Sequence, residues 1–398
     1  MIFIIKTYFI GKYRSFHHSN NCFVVLMFCN RLIGFWDNPG TDPDRFHPVK
    51  RILINFSFMY ATLEVISVTM AIRTTGFNEN VGSLFLVIAR QFCLAIWCSL
   101  AFNRQGLKEI WIYLLSVQQD AVDDSRHKYI RFVNWFTLMF LILNLLPLMV
   151  WVINGQIGSP LAVFGSPWLD RLNTVLYPAA VFLITLMLCY AIIMTLSIMS
   201  AFTLEFRLLG MDFQQIFEEV EPHGEIIVQR WINLEKSFGR CVERHQTLLS
   251  LTDSFRQLLK TNFLIQLVVN FCLIVLHFSV YVLMQRHEVS GFAFSAFAVI
   301  ALMMNMLLYG FLCDQLEEQV LSINHQLYCS GWTDKMIYSK AFARRYKNLR
   351  QTMLIVMERT QKKVGFTCGN FFEMSLVTCR KVLSFTYTVV AVLTSVLE

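Results

Sequence analysis

The sequence predicts an all-α membrane protein with seven transmembrane helices, on the basis of its composition, seven apolar runs and an alternating distribution of basic residues. Of the 398 residues, 56% are hydrophobic and 15% are charged, and the mean hydropathy is +0.51. A soluble domain carries about 25% charged residues. The small numbers of Pro (8) and Gly (17) exclude a linker-rich or disordered chain. The excess apolar surface therefore faces lipid.

Seven apolar runs are long enough to cross a bilayer, which requires about 20 residues of helix. Two other stretches, Met1–Ile10 and Cys22–Cys29, are too short, and the second predicts a re-entrant or interfacial helix. One membrane domain then covers 1–398, in which 1–51 is a cytosolic N-terminal segment that includes this short helix, 52–312 holds spans one to six, 313–374 is cytosolic and 375–398 holds span seven. The predicted spans are Ile52–Ile72, Val81–Phe102, Phe132–Ile153, Leu176–Phe202, Thr261–Met284, Gly291–Leu312 and Ser375–Leu397.

Basic residues alternate between the two sides of the predicted helices. Every second connecting segment is rich in Lys and Arg, and together these segments hold 28 of the 34 basic residues, whereas the others hold three. Because cytosolic loops carry the excess of Lys and Arg, the N-terminus is predicted to be cytosolic and the C-terminus extracellular. This orientation excludes G-protein-coupled receptors. The net charge of +7 opposes anionic lipid and needs no nucleic-acid partner.

The sequence lacks the motifs of an enzyme or a metal protein. It contains no Gly-rich phosphate loop, zinc-protease motif or nucleophile elbow, and no Cys/His spacing suits zinc. None of the 11 cysteines falls in a predicted outer loop, so we expect free thiols. We therefore predict no catalytic residues, no metal site and no cofactor. His245, on a cytosolic helix with no nearby nucleophile, is predicted to be structural.

A cytosolic segment after span six carries an apolar stripe at helical spacing. Leu316, Val320, Ile323 and Leu327 recur every three or four residues, which places them on one face of a helix. Two interpretations stay open from the sequence. The helix is covered by its own chain, or the stripe forms a surface for subunit assembly.

Ionisable residues within spans are costly and are expected to have partners. Glu64 and Arg90 each lie about 12–14 Å from the outer boundary, on consecutive antiparallel helices. We predict that they form an ion pair, which either stabilises the bundle or takes part in ligand or ion handling. Arg380 and Lys381, near the cytosolic start of span seven, either extend to the inner boundary or line an inner vestibule.

The C-terminal third resembles the insect odorant receptor family. The similarity lies in CVERHQTLL at 241–249, QLEE at 315–318, LYCSGW at 327–332, TCGNFFEMSL at 367–376 and FTY at 385–387. The N-terminal RLIGFW at 31–36 is similar to the family's entry motif. The related gustatory receptors share the architecture, but their closing Gln-Phe is replaced here by Leu393-Thr394. The chain also lacks the expanded loop of the co-receptor and so resembles a ligand-tuning subunit.

The resemblance implies a ligand-gated, nonselective cation channel that assembles with the co-receptor, as a tetramer, in the plasma membrane of olfactory neuron dendrites. Cytosolic helices within 313–374 would contribute to an anchor domain, and span seven would line the pore for permeant cations. A small volatile odorant would bind among spans two, three, four and six on the outer side, where an aromatic cavity suits it. The pocket candidates are Phe85, Met149, Trp151, Tyr177, Phe182, Thr185, Phe292 and Phe294.

The pore candidates follow from the same resemblance. Aligned on Thr386-Tyr387, Val390 and Thr394 take the constriction positions, and Leu397 lies one turn further. Apolar constrictions gate by dewetting, so Thr394 departs from an all-apolar gate. Glu398 is predicted at the outer mouth, where its charge would attract cations. The alternatives are a gustatory-type channel that works without the co-receptor, an inverted seven-span receptor that signals through cytosolic proteins, and a transporter.

Overall fold

The computed structural model of the chain describes residues 21–36, 47–119, 124–153, 167–218, 227–284, 289–336, 338 and 340–397. This part of the chain is almost entirely helical, with one short β-hairpin. The helices are α1 (Val24–Ile33), α2 (His47–Thr75), α3 (Phe77–Phe102), α4 (Arg104–Gln119), α5 (Asp124–Ile153), α6 (Pro167–Glu218), α7 (Ile227–Met284), α8 (Val289–Cys329), α9 (Trp332–Lys335), α10 (Ala343–Thr360) and α11 (Leu376–Leu397), and a 3-10 turn at Lys340–Phe342 precedes α10.

The predicted spans fall on α2, α3, α5, α6, α7, α8 and α11. Within the described residues, five helices are long and apolar enough to cross a membrane, namely α2, α5, α6, α7 and α8, and the described part of α3 forms a shorter apolar helix. Three helices continue well beyond the predicted spans: α6 has 52 residues, α7 has 58 and α8 has 41. The chain is thus an all-α membrane protein whose longest helices extend out of the bilayer.

Helix α6 lies at the centre of the bundle. It contacts α1, α2, α3, α5 and α7, and its most extensive contact is with α8. From Tyr190 to Phe206 every residue is buried, including both of these aromatic side chains. A helix that is apolar all around is expected to be enclosed on every side, and α6 fits that rule.

Helix α1 is the short helix that the sequence predicts before span one. It ends at Gly34, whose φ of +73° is the left-handed conformation that favours glycine, and its N–H donates to Asn30 O at 2.7 Å. The Asn30 side chain then holds Trp36 through bonds to its backbone N and O at 3.2 and 2.7 Å. Trp36 stacks on Trp111, with ring centroids 5.1 Å apart. The segment is therefore packed against the bundle.

The apolar stripe of α8 is covered by its own chain. Leu316, Val320, Ile323 and Leu327 are at most 1% exposed, and α8 contacts α6, α7 and α10. The stripe is therefore not available to another subunit. The structure favours the interpretation that this helix is covered by its own chain.

A β-hairpin connects α10 to the last helix. Strands β1 (Thr367–Cys368) and β2 (Phe372–Glu373) pair antiparallel, with Thr367 opposite Glu373 and Cys368 opposite Phe372. The turn is fixed to α7 because Gly369 N–H donates to Lys260 O at 2.9 Å.

The start of α11 is fixed to α8 at close range. Asp314 Oδ2 accepts the backbone N–H of Leu376 at 3.0 Å, which caps the helix. A Cβ added at Gly310 would lie 2.9 Å from Leu376 N, so only glycine allows this approach. The Cys379 thiol donates to Met306 O at 3.2 Å. The first turn of α11 is thereby held against α8.

Candidate functional site

Five polar and aromatic side chains meet between α2, α3 and α6 in the half of the bundle predicted to face outwards. We call Tyr60, Glu64, Arg90, Asn173 and Tyr177 the Glu64 cluster. Tyr60 and Glu64 are one turn apart on α2, and Asn173 and Tyr177 are one turn apart on α6, so each pair shares a helix face. Arg90 comes from α3, which packs against both helices.

The centre of the Glu64 cluster is an ion pair in which Arg90 Nη1 contacts Glu64 Oε1. Both residues are buried, with relative exposures of 8% and 3%. The second carboxylate oxygen, Glu64 Oε2, is also buried and has no hydrogen-bond partner among the described residues. The predicted pairing of these two residues is thus present in the structure. Its role in ligand or ion handling stays a prediction.

Two tyrosines flank the ion pair. Arg90 Cζ lies 5.0 Å from the centroid of the Tyr177 ring, which is within the range of a cation–π contact. Tyr177 stacks on Tyr60 with centroids 5.8 Å apart and an angle of 27° between the rings. The Tyr60 hydroxyl donates to Asn173 Oδ1. Apolar side chains pack with the two tyrosines: Phe56, Leu176, Ala180 and Val181.

The predicted pocket residues lie on α3, α5, α6 and α8. Tyr177 is buried and belongs to the Glu64 cluster, whereas Phe182 is 40% exposed. The Thr185 hydroxyl donates its hydrogen to Val181 O at 2.9 Å. Its oxygen can then act towards a ligand only as a hydrogen-bond acceptor. The remaining candidates have helical backbones, but their side chains lie outside the described residues: Phe85, Met149, Trp151, Phe292 and Phe294.

Helix α6 connects the four helices that carry these candidates. Helix α6 packs against α3, α5 and α8, and α5 packs against α8. The tertiary structure therefore brings together the spans that the sequence assigns to the pocket. Which of their side chains would contact a ligand stays a prediction.

The pore candidates lie at the end of the last helix. Val390 is half-buried in α11. Thr394 and Leu397 have helical backbones, but their side chains lie outside the described residues, as does Glu398 altogether. Arg380 and Lys381 are both exposed near the start of α11, which fits either of their two predicted roles.

A second polar centre, which the sequence analysis did not identify, lies on the side predicted to be cytosolic. We call Glu205, Arg126, Arg244 and Asp212 the Glu205 network. Arg126 Nη2 donates to Glu205 Oε1 at 2.6 Å, and Arg244 Nη2 donates to Glu205 Oε2 at 2.7 Å. Arg244 Nη1 also reaches Asp212 Oδ2 at 2.7 Å. The network joins α5, α6 and α7 by charge-assisted hydrogen bonds.

The signal for the Glu205 network is weak in the sequence. Glu205 follows a long apolar run by three residues and reads as an ordinary end of span four. Its partners lie 79 and 39 residues away along the chain, a separation that helix periodicity does not predict.

Titratable groups outside the predicted spans favour a structural role. His245 is 1% exposed and lies edge-on to the Phe213 ring, with centroids 6.4 Å apart. Burial lowers the pKa of His245 to about 4, so the ring is neutral at pH 7. Burial also raises the pKa of the Cys368 thiol to about 12 and that of Cys241 to about 11, which disfavours a reactive thiolate. Among the described residues, no group of three or more His, Cys, Asp or Glu is placed to hold a metal ion.

Comparison with known proteins identifies both a family and a fold. The sequence model described as "7tm Odorant receptor" matches residues 76–387. No curated protein matches the chain. The structure of the insect olfactory receptor OR5 from Machilis hrabei is similar, with a TM-score of 0.72 over 92% of this chain and 96% of that one, at 14% identity. The same receptor in complex with eugenol gives a TM-score of 0.69 over 94% and 97%, also at 14% identity.

Proposed function

Because the chain belongs to the 7tm odorant receptor family, we propose that it is the ligand-tuning subunit of an odorant-gated, nonselective cation channel. The channel is a tetramer formed with the co-receptor in the plasma membrane of olfactory neuron dendrites, with the N-terminus cytosolic. The observation that carries this proposal is a family match across most of the chain, together with a similar fold over nearly its whole length.

The proposed odorant pocket lies between α3, α5, α6 and α8, on the outer side. Helix α6 contacts each of the other three helices, and the fold is similar to that of a receptor whose structure was determined in complex with eugenol. A volatile compound has few polar groups, so its affinity comes from burying apolar surface against aromatic walls. The candidates from the sequence keep their proposed roles: Phe85, Met149, Trp151, Tyr177, Phe182, Thr185, Phe292 and Phe294.

The proposed gate is the last helix, with Val390, Thr394 and Leu397 at the constriction and Glu398 at the outer mouth. A direct connection between pocket and gate supports this assignment. Helix α8 carries pocket candidates near its start and holds the first turn of α11 through Gly310 and Asp314. A shift of α8 on ligand binding would therefore displace α11.

Current recording in a heterologous cell tests this proposal. The chain is expressed with and without the co-receptor, and a panel of volatile compounds is applied. We expect odorant-evoked cation current only when both subunits are present. Current from this chain alone would instead support the gustatory-type channel, and a response that requires G-protein signalling would support a metabotropic receptor.

A change of permeability is the test for the gate. We expect Thr394→Ala in this chain to alter the cation permeability ratio or the conductance of the heteromeric channel. Thr69→Val, on a lipid-exposed part of α2, is the control, since its hydroxyl only bonds the backbone of its own helix. Identical permeation in both variants would contradict the assignment of α11 to the pore.

A further inference from the structure

The Glu64 cluster contains a hydrogen-bond acceptor that no described residue of the protein uses. Glu64 is 3% exposed and its Oε2 atom has no hydrogen-bond partner, although Oε1 is paired with Arg90. A buried carboxylate oxygen without a partner is costly, because its hydration has been lost and nothing replaces it. A group that donates a hydrogen bond to Oε2 would remove that cost.

The neighbouring polar groups do not meet this need. The Tyr60 hydroxyl donates its hydrogen to Asn173 Oδ1. The Tyr177 hydroxyl forms a hydrogen bond with Arg90, whose guanidinium also lies over the Tyr177 ring. No side chain among the described residues donates to Oε2, so a ligand or water is needed to supply that hydrogen bond.

The charge balance of the cluster selects the kind of donor. Arg90 already neutralises Glu64, so the pair as a whole carries no net charge. A cationic ligand such as an amine would leave one uncompensated positive charge within the bilayer, which is strongly unfavourable. A neutral hydroxyl group supplies the donor without that charge.

The surroundings suit a small apolar body attached to the hydroxyl. Phe56, Leu176 and Val181 pack beside the two tyrosines and provide apolar walls. The next two residues of α2, Val65 and Ile66, are 40% and 43% exposed. Glu64 is thus close to the lipid-facing surface of α2, and a volatile compound dissolved in the bilayer reaches it without crossing water.

We propose that Glu64 Oε2, with Arg90 and Tyr177 around it, accepts a hydrogen bond from the hydroxyl of a small uncharged alcohol or phenol. The site lies between α2, α3 and α6, next to the proposed pocket, and shares Tyr177 with it. This inference rests on the proposed odorant receptor function and specifies the chemical class of its ligand.

The test compares three ligands on one carbon skeleton: 2-phenylethanol, its methyl ether and ethylbenzene. The ether keeps the oxygen but cannot donate, so only the alcohol satisfies Oε2. A hydrogen bond to a charged group is worth about tenfold or more in affinity. We therefore expect a half-maximal concentration for the alcohol about tenfold below that of the ether, in current recording with the co-receptor.

Two variants separate recognition from folding. Glu64→Met with Arg90→Met removes both charges together, and apolar replacement of a buried ion pair is often tolerated. For this double variant we expect the half-maximal concentrations of the three ligands to differ by less than about twofold. Glu64→Arg with Arg90→Glu keeps an ion pair but moves the free oxygen to α3, and we expect it to lose the alcohol preference as well. Thr69→Val, which faces lipid, is the control and should keep the preference.

Each outcome decides the matter. If the double variant or the swapped variant keeps the full alcohol preference, the pair is only structural and the proposal is wrong. If the wild type responds equally to the alcohol and its ether, only water donates a hydrogen bond to Oε2 and the proposal is wrong. If no ligand evokes current, the proposed channel function fails separately. Ligand binding is then measured as the rise in melting temperature of the purified full chain. We expect a larger rise with the alcohol than with the ether.

Discussion

The two buried carboxylates, Glu205 and Glu64, have opposite surroundings. Glu205 is fully buried and each of its oxygens receives an arginine, at 2.6 and 2.7 Å. Glu64 is almost as deeply buried, but only one of its oxygens is paired. A fully satisfied buried polar network rigidifies a structure, whereas a buried acceptor without a partner is costly. This difference supports a structural role for Glu205 and our proposal that Glu64 recognises a ligand.

Substitution of Glu205 is expected to give the largest effect and tests the structural side of this comparison. Glu205→Gln leaves two arginines with a neutral partner in a buried place. Breaking a buried pair in this way costs about 3–5 kcal/mol, and with two cations we expect the upper end of that range. The free energy of unfolding by SDS titration in mixed micelles measures it. Unchanged stability would show that water reaches the Glu205 network and that the structural assignment is wrong.

Substitution of Glu64 is expected to cost less, because a single arginine loses its partner and keeps its contact with Tyr177. We expect Glu64→Gln to destabilise the chain by about 3 kcal/mol in the same titration. The Glu64→Met with Arg90→Met double variant should recover most of that loss, since no charge is left buried. A double variant as unstable as the single one would show that the pair itself holds α2 against α3.

His245 extends the comparison to a group that is buried without charge. Its pKa is lowered to about 4 by burial, against about 6.5 in the unfolded chain, so the folded protein disfavours the protonated ring. The contribution to stability is therefore complete above about pH 6.5 and is lost as the pH falls towards 4. Between about pH 7.5 and pH 5 we expect a loss of about 2 kcal/mol.

The control for His245 removes the titration and keeps the volume. In His245→Met this part of the pH dependence should disappear, while stability at about pH 7.5 changes much less. Melting temperatures at the two pH values, for both proteins, give the comparison. If the variant keeps the full pH dependence, other groups are responsible for it.

The smallest effect is expected at an exposed pair on the same long helix. Asp253 and Arg256 are 2.6 Å apart, but their side chains are 62% and 28% exposed, so water screens the attraction. We expect Asp253→Asn to change the free energy of unfolding by less than about 0.5 kcal/mol. A large effect here would mean that stability does not follow burial, and the contrast between Glu205 and Glu64 would lose its basis.

Much of the bundle could be predicted from the sequence because membrane spans are encoded locally. Six of the predicted spans lie within a longer helix, and the seventh begins one residue before α11. The Glu64–Arg90 pair was also predictable, because consecutive antiparallel helices bring residues at equal depth together. The lengths of α6, α7 and α8 beyond the predicted spans could not be predicted. An amphipathic extension gives a weaker hydropathy signal than an apolar run.

The sequence by itself determined the fold class, the seven apolar runs and the residues that carry charge into the membrane, because length, hydropathy and helix periodicity are local properties. Only the tertiary structure decided how these charges are satisfied. It joined Glu205 to arginines on two other helices, covered the Leu316 stripe and left Glu64 Oε2 without a partner in the part of the chain that the structure describes. These outcomes depend on contacts between residues far apart in the chain, which no local pattern encodes.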